Sequence, residues 1–120
     1  MPTLSQIAAE AAFEGRAELD AIKHGYEDNR RILIEGLPQA GLTKFLPVDG
    51  AFYLYADVSK FSDDSFDFAK RLLEDAHVAA TPGVDFDPVN GKRFVRFCYA
   101  GCADDMREAV VRIGGWLNRR

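Results

Sequence analysis

Residues 94–100 decide the fold of this chain and read Phe94-Val95-Arg96-Phe97-Cys98-Tyr99-Ala100. Aromatic and β-branched residues favour extended backbone, and the run has the length of an ordinary strand. We therefore predict a strand over residues 94–99, with Arg96 near its middle. The rest of the chain must supply strands that pair with this one and helices that cover it.

Two other segments upstream have the character of strands. Residues 51–58 are rich in aromatic residues, and residues 78–81 form a short apolar run that Pro82-Gly83 is expected to stop. A weaker candidate is the apolar pair Phe45-Leu46, which lies among turn-forming residues. Together with the strand at 94–99, these segments predict about four strands.

Apolar residues at helical spacing predict four helices. The stripes are Leu4, Ile7, Ala8 and Ala11; Leu19, Ile22, Tyr26, Leu33 and Leu37; Phe66, Ala69, Leu72, Leu73 and Ala76; and Met106, Ala109, Val110, Ile113 and Leu117. Pro38 is expected just past the end of the second helix, and Ser62 with two aspartates is expected to open the third. The order of elements indicates an α+β fold of two layers, with a small mixed or antiparallel sheet covered by helices.

Composition limits the class of protein. The chain has 120 residues, of which 48% are hydrophobic and 28% are charged, and one domain over residues 1–120 is expected. A formal net charge of −4 argues against binding to a nucleic-acid backbone, which requires clustered basic residues. We find neither a bilayer-length apolar run nor a signal peptide, so no membrane association is predicted. A cytoplasmic location is the expectation.

The two cysteines suggest structural positions rather than a metal or redox site. Cys98 and Cys102 span a strand end and a turn, and no histidine or second cysteine pair completes a zinc site. We predict that Cys98 is a small core residue. Cys102 is predicted at the N-cap of the last helix, with Asp105 in the capping-box position.

The histidines and the charge clusters are also assigned to the surface. His24 and His77 have no nucleophile in a recognisable motif beside them, and both are expected to be exposed near helix ends. Arg30-Arg31 follows Glu27-Asp28, a pattern typical of a solvated helix face with pairs three or four residues apart.

Arg96 is the candidate binding residue. An arginine between Val95 and Phe97 is costly to bury without an anion, which favours a site for an anionic ligand. From the strand pattern alone, two structural alternatives stay open. Arg96 can point outward onto a solvated sheet face, or it can pair with an internal carboxylate.

Three segments in a fixed order carry a resemblance to a known family: Gly50-Ala51-Phe52-Tyr53-Leu54, residues 78–86 with Thr81-Pro82-Gly83, and residues 94–100. Leu4-Ser5-Gln6-Ile7-Ala8-Ala9 fits the helix that enters this region, and residues 26–31 fit the helix turn after it. The chain resembles the C-terminal small domain of fold-type I, class I/II aminotransferases, which depend on pyridoxal phosphate. The resemblance covers nearly the whole chain.

The resemblance implies a role for Arg96 and for the loop before it. In this family the arginine of the Val-Arg-Phe strand binds the α-carboxylate of the amino-acid or 2-oxo-acid substrate, and Arg96 matches it. The Pro82-Gly83 loop would approach the mouth of the active site, although a Pro-Gly turn also ends a strand in any fold. No catalytic, cofactor-binding or metal-binding residue is assigned to this chain.

The resemblance also implies what the chain lacks. In the family a preceding large domain supplies the lysine that binds pyridoxal phosphate, the aspartate at its ring nitrogen and the phosphate-binding residues. None of the five lysines here stands in the family's serine-rich lysine motif. Transamination is therefore expected only in a full-length, homodimeric enzyme, where this domain closes the active site. We expect this part alone to be inactive and to bind no cofactor.

The alternative is a stand-alone, non-catalytic module of the same fold, which binds a carboxylate or another protein. The surface around the first helix separates these hypotheses. If Leu4, Ile7, Ala11 and Phe13 form an exposed apolar patch, a missing partner is indicated.

Overall fold

The computed structural model describes residues 2–119, so Met1 and Arg120 lie outside the described part of the chain. Four helices occur among these residues: α1 (Thr3–Ala12), α2 (Arg16–Gln39), α3 (Ser65–Ala76) and α4 (Ala103–Leu117). The strands are β1 (Tyr53–Asp57), β2 (Thr81–Pro82) and β3 (Phe94–Cys98). Two short 3-10 turns, Gly83–Asp85 and Gly91–Arg93, lie between β2 and β3.

The strands form one antiparallel sheet in the order β1-β3-β2. Tyr55 of β1 and Thr81 of β2 lie opposite Arg96 of β3, one on each side. The predicted α+β class is confirmed. Residues 2–119 contain three of the about four predicted strands, because Phe45 makes only an isolated bridge to Ala56.

The strand boundaries differ from the predicted ones for local reasons. β1 begins at Tyr53 rather than at residue 51. Ala51 has a left-handed backbone with φ of 60°, so it cannot be part of the extended strand. β2 covers only Thr81–Pro82 rather than residues 78–81, and it includes Pro82 instead of stopping before it. Pro82 pairs with Val95 at an end of the strand order, where a missing N–H is tolerated.

The sheet buries one face against the helices. Leu54, Ala56, Val95 and Phe97 alternate with more exposed neighbours along β1 and β3, the pattern of a sheet with one covered face. The core also includes Leu33, Leu37, Leu42, Val58, Phe68, Leu72, Ile113 and Trp116. Arg96 therefore lies on the face of the sheet that points away from this core.

The C-terminal end of α2 and the N-terminal end of α3 differ from the predicted ones. Pro38 lies inside the last turn of α2 rather than past its end. The adjacent Leu37 is fully buried, and we infer that this packing outweighs the missing N–H of Pro38. α3 is capped by Asp64 rather than opened by Ser62, since the Asp64 carboxylate accepts a hydrogen bond of 2.8 Å from the N–H of Phe66.

Helix α1 contributes nothing to the core. None of its residues is buried, and Leu4 and Phe13 are 79% and 87% exposed. Ile7 on α1 and Leu19 and Ile22 at the start of α2 are exposed as well. Among residues 2–119, no helix combines the length and the apolar character that crossing a membrane requires.

Candidate functional site

Arg96 opens onto a groove of about 410 Å³ on the outer face of the sheet. The groove is lined by Leu46, Pro47, Gly50, Ala51, Tyr53, Tyr55, Phe86, Asp87 and Arg96. Three parts of the chain contribute to it: the segment that precedes β1, the outer face of the sheet, and the loop after β2. Among the described residues that line it, Arg96 is the only basic one.

Two aromatic rings contact the guanidinium of Arg96. Its Cζ lies 4.3 Å from the centre of the Phe86 ring and 5.2 Å from the centre of the Tyr53 ring. Both distances are in the range of cation–π interactions. Tyr53 belongs to the strand on one side of β3, and Phe86 follows the strand on the other side. Arg96 is thus flanked from both sides and is half-buried.

The guanidinium has no anionic partner within the described part of the chain. Its Nε is buried and lacks a hydrogen-bond partner, and none of the ion pairs among residues 2–119 includes Arg96. The alternative of an internal carboxylate partner was therefore wrong. The alternative of an outward side chain is correct in direction, but aromatic rings rather than water cover much of it.

Tyr55, which lines the groove, is linked to Gly83 at the start of the loop after β2. The hydroxyl of Tyr55 donates to the carbonyl oxygen of Gly83 at 3.4 Å, and its ring stacks on Phe94 with 4.8 Å between centroids. Burial, and then the nearby Asp87 carboxylate, raise the pKa of Tyr55. The phenol therefore stays neutral around pH 7 and serves as a hydrogen-bond donor.

The loop that carries Phe86 is anchored by a close approach of two glycines. A Cβ on Gly83 would lie 2.5 Å from the carbonyl oxygen of Gly91 and 2.6 Å from that of Phe94, so only glycine fits there. Further along the loop, the Asp87 carboxylate accepts hydrogen bonds of 2.9 Å from the N–H groups of Val89 and Asn90. These bonds lower the pKa of Asp87.

Asn29 is connected to the groove through Tyr99, and the sequence analysis did not predict this role. Its side-chain amide donates to the carbonyl oxygens of Tyr99 and Gly101 at 2.9 and 2.8 Å. Tyr99 in turn donates through its hydroxyl to the carbonyl oxygen of Ala51, which lines the groove. The available signal was a polar residue at helical spacing between Tyr26 and Leu33, within an apolar stripe.

Comparison with known proteins identifies the family. Residues 1–113 match the family model described as aminotransferase class I and II. The chain belongs to this family. It is 50% identical over 118 residues to the valine–pyruvate aminotransferase of Mycobacterium tuberculosis, covering 97% of this chain and 30% of that protein.

Solved structures agree with this aminotransferase assignment. A crystal structure of an aminotransferase from Mycobacterium tuberculosis matches with a TM-score of 0.94 and 49% identity, over 99% of this chain and 31% of that one. The aspartate aminotransferase of Thermus thermophilus with maleate matches with a TM-score of 0.74 and 37% identity, over 83% of this chain and 25% of the other. The chain therefore spans about a third or less of the length of the relatives it matches.

The residues of this aminotransferase chain do not fit the covalent attachment of pyridoxal phosphate, the cofactor that the family implies. Such attachment needs a lysine in the site. All five lysines of the chain are exposed, and none lines the groove of Arg96. We therefore assign no residue here to hold the cofactor.

The remaining sequence predictions concern the surface of the aminotransferase chain. Cys98 is exposed rather than in the core, because it shares the outer face of β3 with Arg96, two residues earlier. Cys102 is the N-cap of α4 as predicted, and its side chain makes no capping hydrogen bond. His77 is exposed at the end of α3, whereas His24 is exposed but lies well inside α2.

The Arg30-Arg31 pair divides between two roles. Arg31 pairs with Asp28 at 2.8 Å on the exposed face of α2, as predicted. Arg30 is not on that solvated face. Its Nε donates to the carbonyl oxygen of Val48 at 2.6 Å, so it links α2 to the segment that precedes β1.

Proposed function

We propose that this chain is the C-terminal small domain of a pyridoxal-phosphate-dependent aminotransferase, and that Arg96 binds the α-carboxylate of the amino-acid or 2-oxo-acid substrate. The observation that carries the proposal is the half-buried guanidinium, which opens onto a groove and has no anionic partner among residues 2–119. A charge in such a place favours an external anion.

The chemistry of the guanidinium favours a carboxylate in particular. Its planar array of N–H donors can make two parallel hydrogen bonds to the two oxygens of a carboxylate, which fixes orientation as well as position. The aromatic rings of Tyr53 and Phe86 cover part of the guanidinium but accept no strong hydrogen bond, so its donors stay available. The Thermus thermophilus relative with maleate, a dicarboxylate, supports this choice of ligand.

The contribution of this chain to transamination is then binding and orientation. Arg96 would hold the carboxylate, so that the reacting carbon of the substrate has a fixed direction, and such positioning accelerates reactions substantially. The cofactor, when bound, supplies the electron sink for the chemistry at that carbon. The groove walls would exclude water as this domain closes over the active site.

The apolar surface of α1 supports a larger assembly. Leu4, Ile7 and Ala11 share one exposed face of α1, and Phe13 just after the helix is exposed as well. Exposed apolar residues of this kind favour a missing partner over a stand-alone module. We propose that the large domain of the same enzyme covers this surface. The longer relatives agree with that choice. We also propose that the full-length enzyme is a homodimer, as the resemblance implies, and that it is located in the cytoplasm, as the cysteine content suggests.

The size of the native gene product tests the proposal against the alternative of a stand-alone module. We would detect it in source cells with an antibody against this domain, using a strain that lacks the gene as the control. We expect a band about three times larger than 13.3 kDa, by analogy with relatives of which the chain covers 30%. The purified product should transfer amino groups between amino acids and 2-oxo acids. A band at the size of this chain, without such activity, would overturn the proposal.

A further inference from the structure

Phe86 is an exposed aromatic residue that core packing does not explain. More than half of its surface, 53%, is exposed, yet its ring lies 4.3 Å from Cζ of Arg96. The ring stands just after the 3-10 turn Gly83–Asp85, and the N–H of Phe86 donates to the carbonyl oxygen of Gly83 at 2.9 Å. Its position is therefore set by the anchored start of the loop rather than by the core.

Arg96 needs support from such neighbours because its own strand gives it none. Its Nε has no hydrogen-bond partner among residues 2–119, and a free arginine side chain samples many rotamers. The ring of Phe86 restricts the guanidinium from the loop side, and the ring of Tyr53 does so from the β1 side. Neither ring competes with a carboxylate for strong hydrogen bonds.

We propose that Phe86 and Tyr53 are positioning residues, which hold the Arg96 guanidinium ready for a carboxylate before the ligand arrives. This inference rests on the proposed function of Arg96. Preorganisation of this kind increases affinity because the ligand does not have to order the side chain itself. Phe86 has the larger share, since its ring is nearer to Cζ of Arg96.

The test measures the dissociation constant of the native-length protein for maleate, a dicarboxylate probe that lacks an amino group. We expect Phe86→Leu to weaken maleate binding by about fourfold, which is the order of an exposed cation–π contact. Phe86→Tyr, which keeps an aromatic face, should restore affinity to within about twofold of wild type. Tyr53→Leu should weaken binding by a smaller factor than Phe86→Leu.

The matched control is Phe66→Leu, the same substitution at a phenylalanine on α3 that is 61% exposed and does not line the groove. It should leave maleate affinity unchanged. Melting temperatures of all variants would show whether any loss of binding follows from unfolding, and Phe86→Met serves if Phe86→Leu does not fold.

The outcomes separate this inference from the proposed function. If Arg96→Ala abolishes maleate binding while the Phe86 and Tyr53 variants bind like wild type, the positioning role is wrong and the role of Arg96 stands. If Arg96→Ala also binds like wild type, the proposed function fails. If Phe86→Tyr binds as weakly as Phe86→Leu, an aromatic face is not what matters, and the inference is overturned.

Discussion

The side chain of Asn29 on α2 donates a hydrogen bond of 2.9 Å to the carbonyl oxygen of Tyr99, 70 residues later in the chain. The same amide nitrogen also donates to the carbonyl oxygen of Gly101. One buried side chain thus joins the long helix to the turn between β3 and α4. Tyr99 extends the connection to Ala51 at the groove of Arg96.

We expect Asn29→Ala to destabilise the protein by about 2 kcal/mol, because the carbonyl oxygen of the buried Tyr99 and that of Gly101 lose their donor. Urea unfolding at pH 7 measures the change. The control is Asp28→Ala, which removes only an exposed pair with Arg31 and should cost less than about 0.5 kcal/mol. Equal losses in the two variants would contradict the role given to Asn29.

Gly83→Ala should destabilise the protein by about 2 kcal/mol or more. A methyl group there would collide with the main-chain oxygens of Gly91 and Phe94, and backbone atoms cannot move aside as a flexible side chain can. Gly115→Ala is the matched control. It lies in α4 with no atom near the new methyl group, so this change should stabilise the helix by about 0.5–1 kcal/mol. Thermal unfolding should show shifts of opposite sign.

The two histidines should respond in opposite directions to replacement by glycine. His77 ends α3 in the left-handed region with φ of 55°, a conformation that costs a non-glycine residue about 1 kcal/mol. His77→Gly should therefore stabilise the protein by about that amount. His24→Gly lies inside α2 and should destabilise it by about 1 kcal/mol. A loss of stability in both variants would show that the His77 side chain makes an unrecognised contact.

Asp57 should contribute stability that depends on pH. Burial acts to raise the pKa of Asp57, but hydrogen bonds from Ser59 and Arg93 outweigh it, and the pKa is lowered below 3.8. The unfolded state therefore binds a proton more readily than the folded state does. The contribution is complete above the unfolded pKa and is lost as the pH falls through the folded pKa.

The corresponding measurement compares wild type with Asp57→Asn across pH. The variant should be less stable by about 1 kcal/mol at pH 7, and the difference should shrink in acid, below pH 3.8. Arg93→Gln should show a weaker form of the same pattern, since it removes one of the hydrogen bonds to Asp57. A difference that stays constant from neutral to acid pH would contradict this account.

The sequence predicted those features that depend on local pattern. The helices followed from apolar residues at helical spacing, and the strand around Arg96 followed from its aromatic and β-branched neighbours. The exposure of Cys98, which was predicted to be a core residue, could have been inferred from the position of Arg96. Once Arg96 is placed on the outer face, Cys98 must share that face, because side chains alternate along a strand.

The features that were missed depend on contacts between distant residues. The partners of Asn29 lie about 70 residues away, and nothing in the neighbourhood of Asn29 indicates them. The approach of Phe86 to Arg96 depends on how the loop after β2 is anchored at Gly83 and Gly91. The inclusion of Pro82 in β2, where it pairs with Val95 of β3, depends likewise on the position of β2 at the edge of the sheet.

The central claim is that Arg96 binds the substrate carboxylate, and its most direct test is the kinetics of transamination by the native-length protein with Arg96→Ala. We predict that kcat/KM for the amino-acid substrate falls by about 30-fold or more, the order expected when one partner of a desolvated charge pair is removed. Arg93→Ala, which removes the neighbouring arginine that pairs with Asp57, should change kcat/KM by less than about twofold. Equal effects of the two substitutions, or no effect of Arg96→Ala, would contradict the claim.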